Sequence, residues 1–144
     1  MKIFFLSNQN SCRSQMAEAI LRNFDKELEI YSAGIEPVDH VSPIAVEVMK
    51  EIGIDLQQQQ VPRHYSEFDD LEFDYLITVG DGTHEELKIP PIRYKRKMHL
   101  GFRNPYSISE NEEDIKQKCR EIRDEIQTEL DYFYFKMLKK EKEG

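Results

Sequence analysis

The sequence predicts an α/β protein, a three-layer sandwich built around a four-stranded parallel sheet. Four short strand-like runs alternate with segments whose apolar residues recur at helical spacing. Parallel strands need a crossover connection between them, so this alternation favours helices that cover the sheet. At 144 residues the chain is long enough for one domain with a substantial core.

The strand predictions depend on short runs rich in apolar and β-branched residues. Residues 2–6 (KIFFL) and 73–79 (FDYLITV) are typical of buried strands. Residues 28–31 form a shorter run that ends at Ala33 and Gly34. Residues 93–100 form a fourth and more polar strand.

Three amphipathic stripes predict the helices. The first has apolar residues at i, i+3, i+4 and i+7 after the first strand, and the second begins near Pro43 and ends near Gly53. The stripes are formed by Ala17, Ile20, Leu21 and Phe24; by Ala45, Val48, Met49 and Ile52; and by Ile115, Cys119, Ile122, Ile126, Leu130, Phe133 and Met137. We therefore expect one domain over residues 1–138, followed by a charged and frayed tail over residues 139–144.

Charge and hydropathy exclude several classes of partner. The formal net charge of −8 argues against a general electrostatic contact with nucleic acid or an acidic membrane. The longest apolar run, residues 3–6, is too short to span a bilayer, and the first residues lack the pattern of a signal peptide. These features predict a cytoplasmic protein with neither a nucleic-acid nor a membrane partner.

The polar loop between the first strand and the first helix is a candidate anion site. Its sequence is S-N-Q-N-S-C-R-S, residues 7–14. Unpaired backbone N–H groups and the positive end of the helix dipole favour an anion there, and an arginine can fork onto two oxygens of a tetrahedral oxyanion. The candidate oxyanion-binding residues are Ser7, Asn8, Gln9, Asn10, Ser11, Cys12 and Arg13.

The same loop carries a resemblance to a known superfamily. Residues 2–20 closely resemble the opening of thioredoxin-coupled arsenate reductases, C-T-G-N-S-C-R-S-Q-M-A-E, and are similar to the C-x-G-N-x-C-R-S loop of low-molecular-weight tyrosine phosphatases. Further matches lie at residues 31–36 (YSAGIE), 49–55 (MKEIGID), 73–78, 101–105 (GFRNP) and 123–126 (RDEI). The resemblance implies a low-molecular-weight phosphatase-like domain that binds phosphate, sulfate or arsenate and requires no cofactor.

The resemblance also implies catalytic positions, and two of them are changed. Ser7 stands where the family has its nucleophilic cysteine, and Asn104 stands where it has the general-acid aspartate. Arg13 matches the anion-binding arginine, and Ser14 matches the hydroxyl that supports the nucleophile. Gln9 replaces a glycine, so we expect a strained or reshaped loop if that position needs a positive φ.

The redox relay of the arsenate reductases is also incomplete. Their two further cysteines align with Gly80 and Leu87, neither of which can form a disulfide. Cys119 lies on the apolar stripe of the last helix and is predicted to be a core residue. We therefore expect no thiol relay that reduces arsenate.

A potassium site is a further implication of the resemblance. Asn10, Glu18 and Ser32 match ligands of a potassium ion beside the loop in arsenate reductases, and the remaining carboxylate aligns near Pro62. The bound ion is therefore an expectation from family likeness. The histidines show no pairing at metal-ligand spacing.

Two functions remain open from the sequence. The chain is either a pseudophosphatase that binds a small oxyanion or a phosphorylated protein without normal turnover, or an active phosphatase or arsenate reductase seen as a Ser7 nucleophile mutant. Aromatic residues 132–135 on the last helix suggest a monomer or a weak homodimer.

Overall fold

The protein contains one four-stranded sheet in which every neighbouring pair of strands is parallel. The computed structural model describes residues 1–56, 61–81, 88–107 and 110–143, with side chains to residue 141. The strands lie in the order β2-β1-β3-β4. Their bounds are β1 Lys2–Ser7, β2 Glu29–Gly34, β3 Glu72–Gly80 and β4 Arg93–Gly101. All four predicted strands are confirmed.

The described ranges contain three long helices, and the second begins and ends with the signals found in the sequence. The long helices are α1 Arg13–Phe24, α2 Pro43–Lys50 and α3 Glu112–Phe133. The Ser42 hydroxyl caps α2 by accepting from the amide of Ala45 at 3.2 Å, and proline occupies the first turn. Gly53, just beyond α2, has a φ of 81°, the left-handed conformation predicted for a helix terminator.

The alternation of side chains along the strands divides the core into two layers. Ile3 and Phe5 of β1 pack with the apolar stripes of α1, α2 and α3 on one face. Phe4 and Leu6 point to the opposite face, which a 3₁₀ turn, Tyr65–Phe68, helps to cover. The three-layer α/β architecture is confirmed, and Cys119 is fully buried as predicted.

The predicted frayed tail is wrong for residues 139–143. A π-helical turn, Tyr134–Leu138, leads from α3 into a short helix, α4, Lys139–Glu143. Glu141 of α4 accepts a hydrogen bond of 2.9 Å from the hydroxyl of Tyr75 and pairs with Arg96. These contacts with β3 and β4 hold the segment against the sheet, which a reading of local composition could not detect.

The aromatic run near the end of α3 is divided between core and surface. Phe133 and Tyr134 are buried, whereas Tyr132 and Phe135 are exposed. The weak homodimer suggested by this run stays a prediction. Among the described residues, no helix is long and apolar enough to cross a bilayer.

Candidate oxyanion-binding site

The predicted site residues meet at the edge of the sheet where the strands end. Ser7 is in register with Gly34, and Gly80 with Gly101, so the loops that follow all four strands converge. A cavity of about 890 Å³ opens at this edge. It is lined by residues 7–14 and by Ile35, Glu36, Val38, His40, Ser42, Pro43, Val79, Gly80, Asp81, Lys88, His99, Asn104 and Tyr106.

The loop after β1 directs its carbonyl groups away from the cavity. The carbonyl oxygens of Ser7, Asn8 and Gln9 accept backbone hydrogen bonds of 3.1, 2.8 and 3.2 Å from residues 35–38. In a trans peptide the next N–H points opposite to the carbonyl, so this anchoring turns the following amides inward. No hydrogen bond among the described residues uses the amides of Asn8, Gln9 or Cys12. The loop therefore offers the unpaired N–H groups that an oxyanion requires.

Gly34 allows the loop to lie this close to β2. A Cβ atom at Gly34 would be 2.7 Å from the carbonyl oxygen of Asn8 and 3.1 Å from the carbonyl carbon of Gln9. Asn10 is the one described residue other than glycine with a positive φ, at 54°. Gln9 does not have a positive φ, so glutamine at the position of the family's glycine causes no left-handed strain in the loop.

The Asn10 side chain fastens the loop from within. Its Nδ2 donates to the hydroxyl oxygens of Ser14 at 3.0 Å and Ser32 at 3.1 Å. Its Oδ1 accepts from the amide of Arg63 at 3.0 Å and from Nε2 of Gln15 at 3.1 Å. These four hydrogen bonds hold the buried Asn10 side chain in one position. Its backbone has the left-handed conformation, which asparagine adopts more readily than most residues.

Among the described residues, the hydrogen-bond partners of the Ser7 hydroxyl include no base. Its Oγ lies 2.7 Å from Oγ of Ser14 and accepts from the amide of Asn10 at 3.1 Å. Neither partner can take the proton that a serine nucleophile must lose. The loop cysteine is no substitute, because contact with the Cys119 thiol and burial raise the pKa of Cys12 well above its ordinary value. Cys12 therefore stays a protonated core thiol at neutral pH.

One nitrogen of Arg13 is anchored by the protein. Nη1 donates to the carboxylate of Asp81 at 3.0 Å and to the carbonyl oxygen of Phe102 at 2.7 Å. The other nitrogens of the guanidinium have no partner among the described residues. The anchored geometry keeps a two-pronged edge for a ligand. Asp81 was missed from the sequence as a site residue, and its position directly after a buried strand is the signal that could have identified it.

Asn104 lies at the cavity, but its side chain serves the local turn. Its Oδ1 accepts from the amide of Tyr106 at 3.0 Å. The Tyr106 hydroxyl contacts the hydroxyl of Ser42, and burial raises the pKa of Tyr106 while this hydrogen bond opposes the rise. An amide cannot supply a proton, so the structure places no acid at the predicted general-acid position.

His99 lines the cavity and was missed from the sequence as a site residue. Nδ1 lies 2.7 Å from Oγ1 of Thr78, and Nε2 lies 3.1 Å from the carbonyl oxygen of Asp81. Gly80 of the predicted relay positions also lines this cavity, whereas Leu87 lies outside the described residues. In the described part of the chain no three His, Cys, Asp or Glu side chains are grouped to hold a metal ion.

The residues implied for potassium lie together beneath the loop. Ser32 donates to Oε1 of Glu18 in a short hydrogen bond and accepts from Asn10. Oε2 of Glu18 lies 2.5 Å from Nη2 of Arg22, so both carboxylate oxygens already have donors. The Asn10 oxygen is also used by two donors. A cation at this position would therefore have to displace Arg22.

The fold and the loop together define a class: an α/β sandwich of phosphatase type with an arginine-bearing loop after its first strand. The sequence profile described as "Low molecular weight phosphotyrosine protein phosphatase" matches residues 2–143, and the chain belongs to this family. The resemblance stated from the loop motif is thereby confirmed.

Sequence relatives are named as arsenate reductases. The chain is 35% identical over 136 residues to an arsenate reductase of Bacillus subtilis, covering 91% of this chain and 93% of that protein. It is 37% identical over 129 residues to an arsenate reductase of Halalkalibacterium halodurans, covering 86% and 88%. The chain therefore belongs to the low-molecular-weight phosphatase family and is similar in sequence to arsenate reductases.

Solved structures agree with the fold. A structure described as an arsenate reductase in the phosphate binding state has a TM-score of 0.77 and 25% identity, covering 94% of this chain and 98% of that one. Vibrio vulnificus Wzb in complex with benzylphosphonate has a TM-score of 0.71 and 20% identity, covering 94% and 98%, which is a likeness of fold alone.

Proposed function

We propose that this protein binds phosphate, arsenate or a phosphorylated protein through residues 7–13 and lacks the normal catalysis of its family. The observation that carries the proposal is the geometry of Arg13, whose Nη1 is anchored by Asp81 and Phe102 while its other nitrogens stay available. An anchored guanidinium loses little further freedom when it binds, which favours affinity. The phosphate-bound arsenate reductase of similar fold supports an oxyanion as the ligand.

The loss of turnover follows from the chemistry of two positions. Ser7 contacts Ser14 and the amide of Asn10, neither of which is a base, so its hydroxyl stays a weak nucleophile. Asn104 cannot protonate a leaving group, a role worth roughly 10²–10⁴ in rate. With both changes, bound phosphate esters should remain intact.

The alternative is an active phosphatase or arsenate reductase whose Ser7 is a mutation of cysteine. One observation favours it: the Ser14 hydroxyl and the Asn10 amide both meet Oγ of Ser7, an arrangement that would stabilise a thiolate. A cysteine codon at position 7 of the native gene, with turnover by Ser7→Cys, would select this reading.

The proposal is tested by calorimetry with inorganic phosphate. The wild type should bind one phosphate, Arg13→Ala should bind none measurably, and Arg13→Lys should bind weakly because it keeps the charge but not the fork. Arg103→Ala is the matched control, because Arg103 is exposed beside the cavity and does not line it. Equal phosphate affinity in wild type and Arg13→Ala would refute the proposal.

A hydrolysis assay separates binding from catalysis. With para-nitrophenyl phosphate, the wild type should release no nitrophenol above the Arg13→Ala blank, although phosphate binds. The variant Ser7→Cys with Asn104→Asp should release it measurably. Turnover by the wild type at family-like rates would overturn the proposed loss of catalysis and leave the binding result standing.

A further inference from the structure

A chain of polar contacts, buried beyond its partly exposed first member Arg22, leads from α1 to the underside of the loop. Nη2 of Arg22 lies 2.5 Å from Oε2 of Glu18, and Ser32 donates to the other oxygen of this carboxylate. Ser32 in turn accepts from Nδ2 of Asn10 at 3.1 Å. The same Nδ2 donates to Ser14 at 3.0 Å, beside the first residue of the loop. Each side chain thus has its position fixed by its neighbour.

A negative charge lies at the centre of this chain. The Glu18 side chain is only 10% exposed, so its carboxylate needs a partner of opposite charge close by. Arg22 meets this need, and its Nη2 also donates to the carbonyl oxygen of Ile30 at 3.1 Å. The guanidinium therefore joins α1 to β2 close to Ser32, the β2 residue that accepts the hydrogen bond from Asn10 of the loop.

The oxygens that potassium would need are occupied by hydrogen-bond donors. Oδ1 of Asn10 accepts from a backbone amide and from Gln15, so it does not face an ion. Both oxygens of Glu18 and the carbonyl of Ile30 accept from side chains. The residue near the implied fourth ligand is Pro62, which offers no carboxylate. These oxygens therefore do not fit the potassium ion that family likeness implied.

We propose that the guanidinium of Arg22 is the permanent cation of this site and that Arg22 is a positioning residue for the oxyanion loop. By fixing the charge of Glu18 it keeps Ser32 in place, and Ser32 holds Asn10 in its left-handed conformation. The loop amides are then preorganised without a bound metal ion.

The test uses three variants in three salts. Arg22→Met removes the charge and keeps much of the apolar stem, whereas Arg22→Lys keeps a cation. Arg63→Met is the control. The side chains of Arg22 and Arg63 both line a cavity of about 210 Å³, and Arg63 has a longer and more exposed i,i+4 ion pair with Glu67 at 3.6 Å. The substitution changes only this side chain and keeps the backbone amide that donates to Asn10. Melting temperature and phosphate affinity are measured in equal concentrations of potassium, sodium and choline chloride.

The melting temperature and phosphate affinity of the wild type should not differ between the three salts. The same should hold for Arg63→Met, whose values should match those of the wild type. Arg22→Met should melt roughly 5–10 °C lower, because a buried carboxylate is left without its cation. Its phosphate affinity should fall roughly tenfold, the lower range for loss of a residue that orients ligands. Potassium should restore part of both values, since Oε2 of Glu18 and the carbonyl oxygen of Ile30 then lose the donor that Arg22 supplied. Arg22→Lys should retain most of both values.

Three results would overturn the inference. If the wild type melted at a higher temperature or bound phosphate more tightly in potassium chloride than in choline chloride, the site would need a potassium ion in addition to Arg22. An Arg22→Met variant that matches Arg63→Met would show that the cation is dispensable. A lower melting temperature with unchanged phosphate affinity would remove the positioning role. The measurement of phosphate affinity rests on the proposed function. The measurement of melting temperature tests whether the Arg22 guanidinium is the cation of this site even if phosphate does not bind.

Discussion

Replacing Ser7 by cysteine is a direct probe of the loop, because a thiol reports the local potential through its pKa. The new Sγ would lie near the Ser14 hydroxyl and the Asn10 amide, which contact Oγ of Ser7 at 2.7 and 3.1 Å. Hydrogen bonds to a charged group contribute about 1.5–3 kcal/mol each, and one pKa unit corresponds to about 1.4 kcal/mol. Two such bonds should lower the thiol pKa from about 8.5 to about 6.5 or below.

The assay is alkylation by iodoacetamide as a function of pH. At pH 7 the fraction of thiolate should rise from about 3% to about 75%, roughly 24-fold. The lower nucleophilicity of the more acidic thiol offsets roughly sixfold to tenfold of this gain, so labelling should be roughly threefold faster. The wild type is the blank for the buried Cys12 and Cys119. Ser11→Cys is the matched control, because no side-chain hydrogen bond of the described structure involves Ser11. Equal labelling of the two new cysteines, with pKa values near 8.5, would refute the preorganised loop.

Further predictions concern loop packing, acid stability and redox chemistry. Gly34→Ala should destabilise the fold and weaken phosphate binding, because its Cβ would be 2.7 Å from the Asn8 carbonyl; thermal melting and calorimetry check this, and an unchanged variant contradicts the close approach. Arg120 and Arg123 hold the pKa of Glu51 at about 2, below its ordinary 4.5. Stability from Glu51 is therefore present above pH 4.5 and lost as the pH falls towards 2, so Glu51→Gln should flatten this part of the urea-stability profile, and an unaltered profile would argue against the pairing. Arsenate with thioredoxin, thioredoxin reductase and NADPH should give no arsenate-dependent NADPH oxidation, and clear oxidation would contradict the missing relay.

The parts of the fold that sequence reasoning predicted are those with a local signal. Strand β1 and helix α1 show their periodicity in adjacent residues, and the left-handed Gly53 follows from its place after α2. The tail was predicted wrongly because Glu141 is held by Tyr75 and Arg96, which are far away in the chain. A charged segment gives no local sign of partners that only the sheet brings near.

The same distinction applies to the site. The loop motif identified Asn10 and Arg13, because both lie in one short continuous segment. It could not identify Asp81, which is 68 positions from Arg13 and meets it only because β1 and β3 are parallel neighbours. Arg22 had the ordinary sequence context of a surface helix, and its role became visible only when Glu18 and Ile30 were seen beside it.

Binding of an oxyanion by residues 7–13 can be observed residue by residue in an NMR titration of ¹⁵N-labelled protein with phosphate. The amides of Asn8, Gln9 and Cys12 should shift downfield together and saturate at one equivalent, while Arg13→Ala should show no such shifts. Phosphate-induced shifts confined to residues outside this loop, or equal shifts in Arg13→Ala, would contradict it.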